Sequence, residues 1–529
     1  MAVHHIVVAP LVIALLTAIV TLLSRTRPIV QQGGSVLGVL TYAVSVVVLL
    51  FRVYPDTILT YQLGGWPAPF GITLVADSLS VFMLGLTAVL AVPSLIFSLR
   101  YVDEFGQRVS YHSLFHFMLV GMTGSFLTGD IFNMFVWFEV MLMASYVLVV
   151  FFSGKAQTRA ALRYVILNLI GSSVMLLAIG GIYATTGTLN MADLARRLNN
   201  PAAYGFDPAP VLGLSALLFA VFALKAGLVP FQFWVPSAYR AAPAPVTAML
   251  AGAVKKVGVY AIIRLYFGIF ATASLPVSLP GIGGRSVLAF FGPVLFVMAT
   301  ASIVFGGTGA IARDDIEGLL AYSSIGQVGF IVLPLAIAAT IPSLRSLAIA
   351  ATLVYALNHA LAKGMLFLVA GTIRSAAGTT DFHEISGLAN VAPGVTGAFF
   401  VGGLALVGIP PLSGFFAKLL VFETALGART ALPLGIALFG AILTIAYVSR
   451  AWNRGFWGDT SGAVANVEID RVQIALVLAL AIGIVAVGVG FDVILDLARA
   501  ASDAALSRSA YIDAVDLTSL EAVIGGGQA

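Results

Sequence analysis

Long apolar segments recur along almost the whole of this chain of 529 residues. A helix of about 20 apolar residues crosses the roughly 30 Å hydrocarbon layer of a membrane, because each residue adds about 1.5 Å. Charged residues make up only 9% of the chain, against roughly 25% in soluble proteins. The sequence therefore predicts an all-α integral membrane protein with about 14 transmembrane helices in a lipid bilayer. The fourteen windows lie near residues 4–24, 34–53, 73–99, 111–128, 130–152, 161–184, 211–229, 243–269, 287–306, 315–337, 344–371, 392–424, 429–451 and 471–495.

The residue types that are missing exclude several classes of function. The chain has no cysteine, which excludes disulfides, thiolate-ligated iron–sulfur clusters and cysteine nucleophiles. It contains no G-x-x-x-x-G-K-[ST] phosphate loop, and no His and carboxylate pair has convincing metal-site spacing. The net charge of +4 comes from scattered loop arginines, which argues against nucleic-acid binding. We therefore expect no cofactor and no bound metal. We expect the free energy for its activity to come from an ion gradient or from an attached redox complex.

The loops between the windows predict an orientation. The first window is followed by Arg25 and Arg27 and by no small-residue cleavage site, so we expect it to remain as a membrane anchor. Short cytoplasmic loops are enriched in lysine and arginine. With the amino terminus outside, the inside segments hold more basic residues than the outside segments, among them Arg100, Lys155 and Arg240. Both termini are therefore predicted to lie outside.

Two of the predicted spans are interrupted by proline. The seventh contains "ALKAGLVPFQFW", in which Pro230 follows Lys225. The twelfth contains "GIPPLSGFFAK", in which Pro410 and Pro411 precede Lys418. Proline kinks a helix, and broken helices at membrane depth persist only where protein or a wet cavity surrounds them. Paired broken segments in two halves of a transporter point to inverted repeats, and here each break carries a lysine.

Ionisable side chains inside the predicted spans form a short series. Glu139 lies nine residues after Asp130, or about 14 Å into the bilayer at about 1.5 Å per residue. Lys255 and Lys256 lie near the middle of the eighth window, but they are about 100° apart on a helix, so we expect only one to point inward. The other members are Lys225, His359, Lys363 and Lys418, of which His359 and Lys363 share a helix face.

This series has two interpretations. A charge buried alone tends to be neutralised by loss or gain of a proton, whereas an opposed pair keeps both charges. A change in the distance between Glu139 and a lysine would therefore act as a proton switch. The alternative is that each charge pairs locally and only fixes helix packing, although the number of charges favours the switch. His116 and Arg264 are interpreted as structural or interfacial, and Asp77 as a helix cap or interface residue at least as readily as a transport residue.

Five stretches around these residues resemble the antiporter-like subunits shared by respiratory complex I and the multi-subunit Mrp Na⁺/H⁺ antiporters. They read "TGDIFNMFVWFEVMLMASY", "ALKAGLVPFQFWVPSAYRAAPAPVTAML", "LLAYSSIGQVGF", "NHALAKGMLFLVAGTI" and "LVGIPPLSGFFAK", and the resemblance covers about residues 4–495. Within that superfamily, "GGWPAPFGITLVADSLS" and "FNMFVWFE" look most like the D subunit of the Mrp complex. One departure is "DDIEGLLAYSS", where relatives often have a basic pair before the helix, so the topology signal is weaker there.

The resemblance implies a fold, a site and a setting. The fold has fourteen helices, with an N-terminal three-helix segment at 1–110, inverted five-helix repeats at 111–269 and 287–451, and a last helix and tail at 471–529. The setting is a bacterial plasma membrane, with partner membrane subunits of the A, B, C, E, F and G types and with H⁺ and Na⁺ as the transported ions. The family's relay positions fall on Glu139, Lys225, Lys256, His359, Lys363 and Lys418.

Three functions remain as hypotheses. The first, which follows from the resemblance, is the proton-translocating D subunit of a Na⁺(K⁺)/H⁺ antiporter, a transporter rather than an enzyme. In it, protons pass along the buried series from Lys225 to Lys418, and Glu139 sets the charge of Lys225. The second is a proton-pumping subunit of complex I or of a membrane-bound hydrogenase, which co-purifying iron–sulfur or flavin subunits would favour. The third is a structural membrane scaffold, in which the buried charges are dispensable.

Overall fold

Helices make up most of the chain in a computed structural model that describes residues 4–271, 273, 286–465, 467–515 and 517. A small antiparallel hairpin is formed by β1 (Leu59–Gln62) and β2 (Thr73–Ala76), in which Leu59 lies opposite Ala76. The helices are α1 (Ala9–Leu23), α2 (Pro28–Val53), α3 (Ser78–Tyr101), α4 (Glu104–Arg108), α5 (Tyr111–Leu127), α6 (Ile131–Val149), α7 (Lys155–Thr186), α8 (Met191–Asn199), α9 (Ala209–Ala226), α10 (Trp234–Ala241), α11 (Ala244–Ile269), α12 (Val287–Ile311), α13 (Ile316–Thr340), α14 (Arg345–Ala377), α15 (Leu388–Val391), α16 (Pro393–Val407), α17 (Ser413–Gly427), α18 (Ala431–Ala451), α19 (Arg471–Val489), α20 (Phe491–Leu506) and α21 (Arg508–Val515).

Many of these helices are long and apolar enough to cross a membrane. Within the described residues, 11 helices meet that description, and α1 and α16 are shorter apolar helices. The predicted window 111–128 corresponds to α5, which has 17 residues, and the window 392–424 is divided into α16 and α17, which have 15 residues each. The prediction of a helical, multi-pass membrane protein is therefore confirmed, with the hairpin as an unpredicted addition. The count of 14 spans and the two inverted repeats stay predictions.

The helices differ in how completely protein surrounds them. Every residue in the apolar window of α11 is buried, as are 94% of those in α13 and in α14, whereas the windows of α2 and α7 are 39% buried. Apolar side chains on the outer helices can face lipid, because lipid tails are as apolar as the protein core. The three enclosed helices carry four of the predicted ionisable residues, so the fold places these charges where protein covers every face.

Both predicted breaks are present, and both begin at a glycine. Helix α9 ends at Ala226, Gly227 follows with a φ of 73°, and the chain becomes helical again at Trp234. Helix α16 ends before Gly408, whose φ is 89°, and α17 begins at Ser413. Glycine reaches this left-handed region without the steric cost that a Cβ imposes. The helix therefore stops before Pro230 is reached, not at the proline itself as the sequence suggested.

The carboxy-terminal part differs most from the prediction. The last predicted window, 471–495, is divided at Gly490 into α19 and α20. Helix α20 packs against α14 and α3, and α21 packs against α8. The end of the tail, "SLEAVIGGGQA", lies outside the described residues.

Candidate functional site

Glu139 and Lys225 are connected through a serine. The Ser172 hydroxyl on α7 donates a hydrogen bond to Glu139 Oε1. Lys225 Nζ on α9 in turn donates to Ser172 Oγ at 3.2 Å and lies 3.5 Å from the Asn168 carbonyl oxygen. Glu139 is half-buried and Lys225 is buried. The acid and the lysine predicted to act together are therefore neighbours, but a hydroxyl that both accepts and donates lies between them.

Lys225 and Lys418 both lie beside a helix break, Lys225 before its break and Lys418 after it. Lys225 belongs to the last turn of α9, directly before Gly227. Lys418 lies on α17 but reaches back across the break, where its Nζ donates at 2.9 Å to the carbonyl oxygen of Val407, the last residue of α16. The last carbonyls of a helix lack partners within it and carry partial negative charge. The second break thus places a lysine at a helix carbonyl end inside the protein, whereas Lys225 bonds to groups on α7.

Both lysines of the pair in α11 are buried, contrary to the expectation that only one would point inward. Lys255 Nζ donates to the Ser324 carbonyl oxygen at 3.1 Å and lies 5.7 Å from the centre of the Tyr239 ring. Lys256 Nζ donates to the Ala251 carbonyl oxygen at 2.6 Å. The pair directly follows a π-helical segment, Leu250–Val254, and such segments are frequent at functional sites. Because helices enclose α11, both of these side chains find partners in the protein.

His359 and Lys363 connect α14 to the two neighbouring enclosed helices. Lys256 Nζ lies 2.6 Å from His359 Nδ1. Lys363 Nζ donates to the Ser323 hydroxyl on α13 and to the Leu320 carbonyl oxygen at 3.2 Å. The four-residue spacing therefore puts both groups on one stretch of α14, as predicted, but they contact different helices.

Uncharged polar side chains lead from Lys363 toward Lys418. Gln327 lies one turn beyond Ser323 on α13, accepts a hydrogen bond from the Tyr355 hydroxyl at 2.7 Å, and donates to the Tyr447 hydroxyl at 3.0 Å. The ring of Phe330, next along α13, stacks on Tyr355 at 5.7 Å and lies 5.3 Å from Lys418 Nζ. These contacts make α13 the element that spans the interval between the two lysines.

Sequence reasoning missed the uncharged members of this network, because the search was restricted to ionisable residues in apolar windows. Ser323, Ser324 and Gln327 all belong to the quoted stretch "LLAYSSIGQVGF", which could have pointed to them. Ser172 belongs to "NLIGSSV" and carries no such signal. Of the six predicted residues, Glu139 and Lys225 meet at Ser172 and Lys256 meets His359, whereas Lys363 and Lys418 bond to other groups. In the part of the chain that the structure describes, their lysines bond to hydroxyl, carbonyl or imidazole groups instead of pairing directly with a carboxylate.

Glu139 also opens to the outside of the helix bundle. It lines a groove of about 650 Å³ formed by α5 and α6. The other lining residues are apolar: Leu114, Phe117, Phe135, Val136, Val140, Met143, Ala144 and Val147. A carboxylate in apolar surroundings is costly to keep charged unless another group compensates it. The hydrogen bond from Ser172 on the inner side of Glu139 provides part of that compensation.

Asp77 and Arg264 form a separate buried ion pair. The two carboxylate oxygens accept from Arg264 Nη1 at 2.6 Å and Nη2 at 2.7 Å, and Asp77 also caps α3 by accepting from Ser80 N at 2.8 Å. Burial opposes ionisation, but the guanidinium and these hydrogen bonds outweigh it and hold the pKa of Asp77 below its ordinary value. Rings of Tyr260 and Tyr511 lie 5.4 Å and 5.2 Å from the guanidinium. The structural interpretation of Asp77 and Arg264 is therefore the one that fits these contacts.

The acidic stretch "DDIE", which departs from the family pattern, lies at the start of α13. Its carboxylates pair with arginines of other helices. Asp315 caps α13 and pairs with Arg240 of α10 at 3.1 Å. Glu317 accepts two hydrogen bonds from Arg374 of α14. Asp314 pairs with Arg450 at 2.6 Å. The acids thus tie the start of α13 to three neighbouring elements.

Comparison with known protein families gives one family for most of the spans. Residues 128–444 match the family described as "NADH:quinone oxidoreductase/Mrp antiporter, TM". The matched segment contains α6 to α17 and so includes every residue of the buried network from Glu139 to Lys418.

Individual relatives cover almost the whole chain. The D subunit of the Na⁺/H⁺ antiporter of Alkalihalophilus pseudofirmus is 33% identical over 518 residues, which is 97% of this chain and 99% of the relative. A chain in the structure of the Mrp complex from Dietzia sp. DQ12-45-1b has a TM-score of 0.86 and 26% identity, covering 97% of this chain and 100% of that one. A chain of the membrane-bound sulfane sulfur reductase, an archaeal respiratory membrane complex, has the same TM-score and coverage at 28% identity.

Proposed function

Because this chain belongs to the NADH:quinone oxidoreductase/Mrp antiporter transmembrane family, we propose that it is the proton-translocating D subunit of a multi-subunit Na⁺(K⁺)/H⁺ antiporter. Its full-length similarity to the D subunit of a Na⁺/H⁺ antiporter supports this assignment. The observation that carries it is the hydrogen-bonded series from Lys225 through Ser172 to Glu139. A hydroxyl between a buried lysine and an acid allows a proton to pass from one to the other. The proton stays inside the protein during this transfer.

The proton path follows the buried network. Lys225 and Glu139 form the entrance, where movement of the acid changes whether Lys225 holds its proton. The proton then passes along the enclosed helices through Lys256, His359 and Lys363 and leaves at Lys418. The contact of Lys256 with His359 supports the central step, and the aromatic and amide groups around Gln327 support the last one.

The first and second repeats, about 111–269 and 287–451, would each provide one half of this path. Each proposed half contains one break that begins at a glycine and has a lysine beside it. The segments 1–110 and 471–529 would flank them. The matching construction of the two breaks supports the repeat assignment.

The proposed partners are the other membrane subunits of the antiporter. The groove beside Glu139 supports this proposal, because an apolar surface with a half-exposed carboxylate suits a neighbouring membrane helix better than lipid alone. The transported ions would be H⁺ through this chain and Na⁺ or K⁺ in exchange.

The test replaces Lys225 or Glu139 by alanine in the assembled complex and measures Na⁺-dependent dissipation of ΔpH in everted vesicles. We expect either change to abolish exchange. Lys155→Ala is the matched control, because Lys155 is exposed at the start of α7. Undiminished exchange with normal assembly of the Lys225 and Glu139 variants would overturn the relay.

A second function, as a proton-pumping subunit of a redox complex, is favoured by the equal structural similarity to the sulfane sulfur reductase chain. Purification of the native complex distinguishes the two. Iron–sulfur or flavin subunits in stoichiometric amount would establish the redox function and exclude the antiporter assignment. Na⁺-dependent exchange by a complex without these subunits would establish the antiporter function and exclude the redox function.

We propose a bacterial plasma-membrane location with both termini outside. Single cysteines can test this directly, because the chain has none of its own. In everted vesicles, a membrane-impermeant maleimide should label Ser153→Cys, exposed directly before α7, but not Ala203→Cys, exposed in the connection between α8 and α9. Labelling of Ala203→Cys alone would reverse the orientation.

A further inference from the structure

A second buried cluster of titratable side chains lies in the N-terminal helices, outside the proposed relay. Ser35 Oγ on α2 lies 3.0 Å from His116 Nε2 and 3.0 Å from His112 Nδ1, both on α5. The two histidines are one helical turn apart, so both rings reach the same hydroxyl. All three side chains are fully buried. The burial of His116 therefore fits the structural interpretation made from the sequence and not the interfacial one.

The hydrogen-bonding capacity of this cluster is only partly used. A serine hydroxyl has one hydrogen, so Ser35 donates to one ring and accepts from the other. Among the described residues, His112 Nε2, His116 Nδ1 and the neighbouring Gln31 Oε1 have no hydrogen-bond partner. Each such buried group left unpaired costs about 1–3 kcal/mol. Buried polar groups of this kind are normally bonded to internal water.

Further polar contacts continue the cluster in both directions along α2. Toward the loop between α1 and α2, Gln31 Nε2 donates to the Thr21 carbonyl oxygen at 3.1 Å. At the edge of the bundle, Gln32 Nε2 donates to Gln107 Oε1 at 2.5 Å. Toward the other face, the hydroxyls of Tyr42 and Thr123 are 3.0 Å apart. From position 31 to position 42 these contacts extend over about 16 Å of helix at about 1.5 Å per residue.

We propose that His112, Ser35 and His116 form a hydrated proton-binding site in the N-terminal helices, reached from the end of the bundle where Gln32 meets Gln107. The ligands are internal water and a proton. Two imidazoles joined by one hydroxyl can exchange a proton through it, because each ring nitrogen can accept or donate. A metal ion fits the site less well, since the described residues contain no group of three or more metal-ligating side chains and Na⁺ prefers oxygen ligands.

Within the part of the chain that the structure describes, the rings have no charged hydrogen-bond partner, so the site's protonation depends on water and on more distant charges. Helix α1 contributes no titratable side chain. Helix α5 itself adds Tyr111. The titratable and charged groups on the other elements packed around α5 are Tyr42 and Arg52 on α2, Arg100 and Tyr101 on α3, Glu104 and Arg108 on α4, Glu139 and Tyr146 on α6, and Lys255, Lys256, Tyr260 and Arg264 on α11. Of these, Glu139 opens to the groove on the other side of α5 and α6.

The first test measures hydration and does not depend on transport. X-ray radiolytic footprinting of the purified complex oxidises side chains that contact ordered water. We expect oxidation of His112, His116 or Tyr42 despite their burial. Phe97, which is equally buried on α3 among apolar groups, is the control and should remain unmodified. Absence of oxidation at all three polar side chains would overturn the hydrated site.

The second test separates proton binding from packing. His112→Gln and His116→Gln keep a hydrogen-bonding side chain of similar size but cannot take up a proton near neutral pH. We expect either variant to shift the midpoint of the pH dependence of exchange by about half a pH unit or more. His383→Gln, at an exposed position, should leave the midpoint unchanged. A wild-type midpoint in both cluster variants would overturn the proton-binding role. If a variant fails to assemble, the footprint of the wild-type protein still decides whether the site is hydrated.

Discussion

Lys256 Nζ lies 2.6 Å from His359 Nδ1, although the two residues are 103 positions apart in the sequence. At this distance the two nitrogens form a single hydrogen bond, because two protonated groups in contact would repel each other strongly in a buried site. The contact joins α11, in the first proposed repeat, to α14, in the second. A proton that moves from the lysine to the imidazole therefore passes from one half of the protein to the other.

Replacement of His359 by glutamine tests this step. Glutamine can accept the hydrogen bond from Lys256 but cannot carry a proton onward, so we expect normal assembly and loss of Na⁺-dependent ΔpH dissipation in everted vesicles. His383→Gln, at the exposed histidine of the α14–α15 connection, should retain wild-type exchange. Wild-type exchange by His359→Gln would show that the proton bypasses this residue.

Ser172 provides a sharper test, because its neighbour is a natural control. Ser172→Ala removes the hydroxyl that links Lys225 to Glu139. Hydrogen bonds to charged groups contribute about 1.5–3 kcal/mol, so we expect exchange to slow by about ten- to a hundredfold. Ser173→Ala changes an exposed serine that bonds only to the Leu169 carbonyl oxygen and should have no effect. Equal rates for the two variants would exclude the hydroxyl link.

Gln327 is predicted to connect Lys363 with Lys418. Gln327→Leu keeps the approximate volume but removes the amide that bonds Tyr355 and Tyr447. The tyrosine hydroxyls would then lose partners in a buried site, at a cost of about 1–3 kcal/mol each. We expect slower exchange and a lower midpoint of thermal unfolding of the purified complex. Gln327→Glu restores an acceptor for Tyr355 and should recover part of the thermal stability. Unchanged exchange by Gln327→Leu would show that the proton path does not pass Gln327.

The Asp77–Arg264 pair is predicted to stabilise the fold without carrying protons. Asp77→Ala leaves a buried guanidinium uncompensated, which costs about 3–5 kcal/mol, and should lower the unfolding midpoint measured by fluorescence-detected size exclusion after heating. Asp77→Ala/Arg264→Met removes both charges and should recover part of the loss. A single variant as stable as the wild type would contradict this role.

The pH dependence of that stability has a defined sign. The pKa of Asp77 in the folded protein lies below its ordinary value, so the pair's contribution is present above the ordinary pKa of an aspartate and is lost as the pH falls through the folded value. We expect the unfolding midpoint of the wild type to fall more steeply under acid conditions than that of the Asp77→Ala/Arg264→Met variant. Parallel curves for the two proteins would contradict this expectation.

The sequence singled out the charged members of the candidate site because each was anomalous where it stood. A lysine such as Lys225 within an apolar span needs compensation, and the prolines marked both breaks. The same logic could not find Ser172 or Gln327, since hydroxyl and amide side chains are common in membrane helices and do not distinguish a relay from ordinary packing. The neighbours Lys255 and Lys256 show where helical periodicity failed. Their angular separation would direct one lysine away from the protein only if one face of the helix met lipid. Protein encloses α11 on every side, so both lysines are buried.

The sequence by itself determined that this protein is a helical membrane protein, where its helices break, and which charges are buried within it. These properties follow from local chemistry: the length of apolar segments, the freedom of glycine beside the prolines to adopt a positive φ, and the cost of placing a charge in hydrocarbon. Only the tertiary structure decided which groups touch. The partners of Lys225, Lys256 and Lys418 come from other helices or from across a break, and their distances depend on how α7, α11, α13 and α14 pack together. Proton transfer depends on those distances, so the path is a property of the fold.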